Sequence, residues 1–144
     1  MQRRSAAQPG QERHGGIAVM IKGIGVDIIE IERMRGALDR EPRMKQRVFT
    51  EEERRYCESK ARPHVHYAVR FAAKEAAAKA LGTGIGDLGW RDMQVRRDGR
   101  GKPSLELSGS AATRSAELGV SALYLSLSFT RKNAVASVIA IGTE

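Results

Sequence analysis

Gly23-Ile24-Gly25-Val26-Asp27-Ile28-Ile29 is an apolar run that carries a single carboxylate. A charge inside a segment that reads as buried is costly unless something pairs with it. Residues 21–28 fit a β-strand, with Ile21, Gly23, Gly25 and Asp27 on one face and Lys22, Ile24, Val26 and Ile28 on the other. The glycines share the face of Asp27 and clear it of side chains, so that a ligand or another backbone can come close. A second acid, Glu75, lies in the alanine-rich stretch Arg70-Phe71-Ala72-Ala73-Lys74-Glu75-Ala76-Ala77-Ala78-Lys79-Ala80-Leu81-Gly82. Two acids on regular, closely packed elements are the parts of a divalent-cation site.

Outward from these two segments, the pattern predicts a helix from about Ile28 to Leu38, with Ile31, Met34 and Leu38 as its apolar stripe. Thr50 and Glu53 stand at capping-box spacing for a second helix through Tyr56 and Lys60. Pro63 suits the start of a third, longer helix over about 64–81, with Gly82 as its stop. Residues 82–89 form a glycine-rich loop. Strands follow: Met93–Arg97 and Lys102–Leu107 as a hairpin about Asp98-Gly99-Arg100-Gly101, then Ala122–Phe129 and the almost wholly apolar Ala134–Ile141, read as a buried strand. Between the hairpin and the last two strands, Ser110 reads as the cap of a short helix ending at Gly119. The order defines an α+β class, an antiparallel sheet packed against a long central helix.

The 144 residues make one domain's worth of chain, 41% hydrophobic and 29% charged. Residues 1–19 are polar and are expected to be a flexible tail, with a folded domain over 20–144. No apolar run approaches the roughly 20 residues of a membrane span. Cys57 is the sole cysteine, so internal disulfides and cysteine metal clusters are excluded, which is compatible with a cytoplasmic location. The net charge of +8 favours an acidic partner. Arg33, Arg35, Arg40, Arg43, Lys45 and Arg47 crowd one short segment, as a solvated face or as a docking patch. A nucleic-acid-binding domain ranks last, because no binding motif is present and aromatics are only 5% of residues.

Each acid has a plain structural reading. Asp27 precedes Glu30 at capping-box spacing, and Glu75 stands four residues before Lys79, the ordinary helical ion pair. Together, with Arg70, Lys74 and Lys79 on the same helix, they suit a metal-bound phosphate ester: acids for the cation, basic groups for phosphate oxygens. Mg²⁺ fits the hard oxygen donors best. Gly99-Arg100-Gly101-Lys102-Pro103 is a hairpin turn or a phosphate cradle, and residues 82–89 contain no Walker motif. His14 falls in the tail, and His64 and His66 sit near a helix start and read as exposed.

The segments Gly23-Ile24-Gly25-Val26-Asp27-Ile28 with Glu30-Ile31-Glu32-Arg33, Arg70-Phe71-Ala72-Ala73-Lys74-Glu75-Ala76 with Lys79-Ala80-Leu81-Gly82, and Gly101-Lys102-Pro103 resemble the holo-acyl-carrier-protein synthase type of 4′-phosphopantetheinyl transferase. Order and spacing match over residues 21–141. The resemblance implies that fold, usually homotrimeric with active sites between subunits. It implies transfer of the phosphopantetheine arm of coenzyme A to a serine of an acidic acyl carrier protein, releasing adenosine 3′,5′-bisphosphate. It implies Asp27 and Glu75 as Mg²⁺ ligands and Glu75 and Lys79 as catalytic groups, the base being Glu75 or a metal-bound hydroxide. Arg70, Lys79, Gly82, Gly101, Lys102, Pro103 and Ser126 would contact the coenzyme, and Arg33, Arg43 and Arg47 the carrier, of fatty acid or polyketide synthesis. The chain departs from the pattern at Phe129, where relatives usually carry histidine, and at Tyr124, where many do. Phe129 shares its face with Leu123, Leu125 and Leu127 and reads as a packing residue. A carrier-binding module that kept the fold and lost the chemistry is the alternative.

Overall fold

The first long strand is not interrupted where the sequence suggests. In the computed structural model, which describes residues 13–14, 17–83 and 88–143, strand β2 runs over Ile17–Glu30, with Arg13–His14 (β1) paired to its start. The tail expected over residues 1–19 falls mostly outside the described residues, but the strand opens at Ile17 rather than Ile21. It also continues past Asp27, because Ile28, Ile29 and Glu30 remain in register with Val135, Ala134 and Asn133. Helix α1 therefore covers Ile31–Arg40, not residues from Ile28, and buries the expected stripe Ile31, Met34 and Leu38. Its N-cap is Glu30, whose side chain makes no cap bond, so Asp27 is a strand residue opposite Ala136 and caps nothing.

Two short helices follow, α2 (Met44–Val48) and α3 (Glu51–Glu58). Thr50 and Glu53 form the expected capping box. Cys57 points inward from α3, and burial pushes its thiol up to about 12, consistent with a small core filler. The long helix α4 spans Pro63–Ala80 with Pro63 in its first turn, and Gly82 ends it at φ +68°. Of the glycine-rich loop, residues 84–87 lie outside the described residues. A short 3-10 turn at Trp90–Asp92 leads into the hairpin of β3 (Met93–Arg97) and β4 (Pro103–Leu107). Helix α5 (Gly109–Glu117) has Ser108 at its N-cap position, two residues earlier than expected and without a side-chain cap bond. Ser110 instead donates its hydroxyl to Asp92 at 2.6 Å and accepts from the Gly89 amide at 3.0 Å, tying α5 to the 3-10 turn.

β5 (Val120–Phe129) and β6 (Asn133–Thr143) complete a four-stranded antiparallel sheet ordered β1-β2-β6-β5. α4 lies across one face of it. Ala72, Ala73, Ala76, Ala77 and Ala80 of the helix form the core with Ala136, Val138 and Ala140 of β6. A second cluster joins α1 to α4 through Ile31, Met34, Phe49, Val65 and Tyr67. β6 is buried on that face alone. The other face of the sheet is open in the single chain, leaving Ile24 (65%), Val26 (58%), Ile28 (64%), Tyr124 (55%) and Ile139 (40%) exposed, so the strand read as wholly buried is covered on one side only. A register shift between Ile21 and Gly23 breaks the simple alternation and leaves Ile21 exposed as well. No helix among the described residues is long and apolar enough to cross a membrane.

The contact between β2 and α4 is backbone to backbone. A Cβ added to Gly23 would lie 1.8 Å from the Ala80 carbonyl oxygen, and one on Gly25 1.8 Å from that of Ala76. Gly25→Ala should therefore destabilise the fold by about 3 kcal/mol, as overpacking does where the neighbour is backbone and cannot give. Gly99→Ala, with nothing within 4 Å of the added atom, should change stability by less than about 0.5 kcal/mol. Denaturant titration of the two variants checks this.

Candidate active site

The glycine contact sets where three charged side chains meet. Asp27 follows Gly25 on the helix-facing side of β2, and Glu75 and Lys79 stand one turn apart on the side of α4 that overhangs it. Lys79 donates its Nζ to Asp27 Oδ1 at 3.1 Å and to the Val26 carbonyl at 3.0 Å. The ion pair forms across the strand–helix contact, so the lysine that helical spacing assigns to Glu75 reaches Asp27 instead. Glu75 is half-buried, and burial is the main reason its carboxyl is held above the ordinary value. The negative charge of Asp27 adds to that shift, and Lys79 opposes it. The two acids thus sense one another electrostatically.

Asp27 and Glu75 line a cleft of about 390 Å³ whose apolar floor includes Met34, Ala37, Met44 and Phe71, with Arg33 at its side. Phe71 was legible as a neighbour of Glu75, since it precedes it by one turn. Met44 was not, because it arrives from α2. The oxygen-only donor set and the mutual repulsion of two carboxylates are what a hard divalent cation would relieve. Among the described residues no group of three or more acidic, histidine or cysteine side chains forms a metal cage, so such a cation would draw its other ligands from water and phosphate, as Mg²⁺ does.

The basic residues of α4 divide by helical face. Lys74, expected to take phosphate, is fully buried and spent internally. Its Nζ donates to Glu53 Oε1 at 2.7 Å, to the Met93 carbonyl at 2.6 Å and to the Trp90 carbonyl at 3.0 Å. All three ammonium protons are used, and none is left for a ligand. Burial pulls this ammonium below its ordinary value, while Glu53 holds it up. Glu53 also accepts from the Val95 amide at 3.1 Å, which pins β3 to α3.

Arg70 is buried too (1% exposed) and lies against Tyr56, its Cζ 4.1 Å from the ring centroid. The same ring carries Lys60 at 4.6 Å and Arg97 at 5.9 Å. Arg97 donates to the Gly101 carbonyl at 2.8 Å, and Asp98 Oδ1 accepts from the amides of Arg100 and Lys102 at 2.8 and 2.9 Å. Gly101, Lys102 and Pro103 therefore form an ordered hairpin turn, joined through Arg97 and Tyr56 to Arg70, and none of them lines the Asp27 cleft. Tyr56 had no sequence signal, since stacking three cations on one ring is a tertiary event. Gly82 is exposed just beyond Lys79, while Ser126 is exposed on the open sheet face opposite Ser137. Phe129, expected to pack with the leucines, is 53% exposed at the end of β5, its ring 6.4 Å from that of His66. His66 is half-buried rather than exposed. Arg33 flanks the cleft, and Arg43 and Arg47 border a separate hollow with Glu41 and Pro42, where Arg47 pairs with Glu41 at 3.1 Å.

The model of the 4′-phosphopantetheinyl transferase superfamily matches residues 23–139. The holo-[acyl-carrier-protein] synthase of Alkaliphilus metalliredigens is 46% identical over 121 residues, 84% of this chain and 99% of that protein. Among solved structures, the holo-[acyl-carrier-protein] synthase of Neisseria meningitidis aligns with a TM-score of 0.78 at 35% identity, over 84% of this chain and 98% of that one. That of Bacillus anthracis, in complex with CoA (3′,5′-ADP), aligns with a TM-score of 0.71 at 39% identity, over 85% and 98%. The chain belongs to the 4′-phosphopantetheinyl transferase superfamily.

Two outcomes separate the buried and exposed lysines. Lys74→Met, which strands Glu53 as an unpaired buried charge, should cost about 3–5 kcal/mol in denaturant titration. Lys79→Met, removing a pair whose lysine is half-exposed, should cost no more than about 1 kcal/mol. In the metal-free protein, Asp27→Asn removes the negative charge that disfavours ionised Glu75, so the Glu75 carboxyl should titrate at lower pH than in wild type. Carbon-13 NMR of the labelled carboxyl reads the shift.

Proposed function

We propose that this chain transfers the 4′-phosphopantetheine arm of coenzyme A to a serine of an acyl carrier protein, releasing adenosine 3′,5′-bisphosphate. The observation that carries the proposal is the convergence of Asp27 from β2 with Glu75 from α4 on one cleft, with Lys79 of α4 paired to Asp27. Asp27 and Glu75 are the residues that would hold Mg²⁺, which when bound would offset charge on the pyrophosphate and the departing phosphate. Lys79, half-exposed, would exchange Asp27 for a phosphate oxygen, with Gly82 exposed just beyond it. Glu75 or a metal-bound hydroxide would take the proton of the serine hydroxyl. The Gly101-Lys102-Pro103 turn would form a second wall for the coenzyme, backed through Arg97 and Tyr56 by the buried Arg70.

The carrier docks on the basic side of the cleft. Arg33 is exposed beside the cleft and Arg43 and Arg47 at the separate hollow, and the net charge of +8 would draw in an acidic partner. The open sheet face suits self-association, since Ile24, Val26, Ile28, Tyr124 and Ile139 make an apolar surface of the kind that marks an interface. A homotrimer assembled through that face would bring Ser126 toward the coenzyme of a neighbouring subunit. With its only cysteine buried and reduced, the enzyme suits the cytoplasm.

Intact-mass analysis of an apo acyl carrier protein incubated with the chain, coenzyme A and Mg²⁺ tests the proposal. The carrier should gain one phosphopantetheine arm, Asp27→Ala should abolish the gain while circular dichroism stays unchanged, and omission of Mg²⁺ should do the same. Charge reversal at Arg33 and Arg43 should raise KM for the carrier and leave KM for coenzyme A within about twofold, as expected for exposed steering charges. A carrier of unchanged mass in the presence of folded wild-type protein would favour the non-catalytic binding module.

A further inference from the structure

The loop after α3, the first turns of α4 and the last residue of β5 enclose a pocket of about 220 Å³ lined by Lys60, Ala61, Arg62, Val65, His66 and Phe129. Its polar groups are cationic or imidazole, and no carboxylate lines it among the described residues. Behind it stands the ring of Tyr56, 5.8 Å from the His66 ring and shared by Lys60, Arg70 and Arg97. Arg70 is incompletely satisfied: its Nε is buried without a partner, and its Nη1 makes one long bond, 3.5 Å, to the His66 carbonyl. A buried guanidinium with a free donor, facing further cations, is a site short of an anion.

We propose that His66 contacts a phosphoryl group of coenzyme A together with Lys60 and Arg62, with the buried Arg70 guanidinium behind them, and takes up a proton as that group seats. The inference rests on the transferase reading and adds to it a residue outside the matched motifs. The groups facing His66 are Tyr56 and Lys60 from α3 and the loop after it, Arg62 and Arg70 at and within α4, Arg97 from β3 and Phe129 from β5. In the free protein the imidazole is held below its ordinary value, first by burial and then by the charges of Arg70, Lys60 and Arg97. It is therefore mostly neutral near pH 7. A phosphate, which carries close to two negative charges there, reverses the sign of the local field. The bound imidazole then titrates higher than the free one, and binding takes up protons between the two values. Phe129 supplies an apolar wall that leaves His66 as the imidazole on this side of the pocket.

Titration calorimetry of the full chain with coenzyme A and Mg²⁺ at about pH 6.5, the ordinary imidazole value, in two buffers of different ionisation heat, counts the protons. Wild type should take up a fraction of a proton that His66→Gln does not. His66→Gln should also bind coenzyme A on the order of tenfold more weakly at pH 6, the scale of one hydrogen bond to a charged group, with a smaller loss at pH 8. In wild type, the His66 ring followed by NMR should titrate at higher pH with coenzyme A bound, a readout that needs no variant. Repeating the calorimetry with 3′-dephospho-coenzyme A distinguishes the phosphate source: lost uptake assigns the ribose monoester, retained uptake the pyrophosphate. Equal proton uptake in wild type and His66→Gln, or an unmoved His66 titration while coenzyme A binds, would overturn the inference alone. Wild type that binds no coenzyme A would overturn the transferase reading with it.

Discussion

Everything chemical in this chain depends on how closely a helix lies on a strand. Gly23 and Gly25 present no side chain toward α4, and the carbonyls of Ala80 and Ala76 occupy the space that a Cβ would need. That contact places Asp27 beneath Lys79 and within the electrostatic reach of Glu75. The alanines of α4 serve the same end from the other side, since small side chains bring the helix axis down onto β2 and β6. A bulkier residue in either row would move the two acids apart before it affected any ligand directly.

α4 then divides its charges by depth. Lys74 and Glu53 form an ion pair without solvent, completed by two carbonyls and a backbone amide, so that α3, α4 and β3 are held in one arrangement. Such a pair contributes little net stability relative to an apolar replacement but costs heavily when half of it is lost. Glu75, the next residue after Lys74, and Lys79, a turn beyond it, keep part of their solvent. Lysine and glutamate are thus sealed inside the core in one place and left partly solvated beside the cleft in the other.

The periphery follows from electrostatics and from an unfinished surface. Cations gather along α1, α2 and the pocket beside Tyr56, some of them paired within the chain, as Arg47 is with Glu41 and Lys45 with Glu58. The sheet face turned away from α4 is apolar and uncovered, a sign that the single chain does not complete its own core.

From residues alone, the α+β class, the central helix with its proline start and glycine stop, the hairpin, the capping box and the two acids were legible, because each rests on local periodicity or on fixed spacing. The boundary between β2 and α1 was not, because pairing with β6 through Glu30 overrides the helical pattern of residues 28–30. Nor were the partners of the long charged side chains. Spacing on α4 places Lys79 beside Glu75 and groups Lys74 with the phosphate-binding lysines, whereas the fold carries Lys79 to Asp27 and Lys74 to Glu53. Phe129 likewise shares the parity of three inward leucines yet ends outside the core, since the strand runs out beyond the helix that would cover it. Periodicity decides which face a residue takes, but which neighbour waits there depends on elements distant in sequence, and only tertiary packing brings those together.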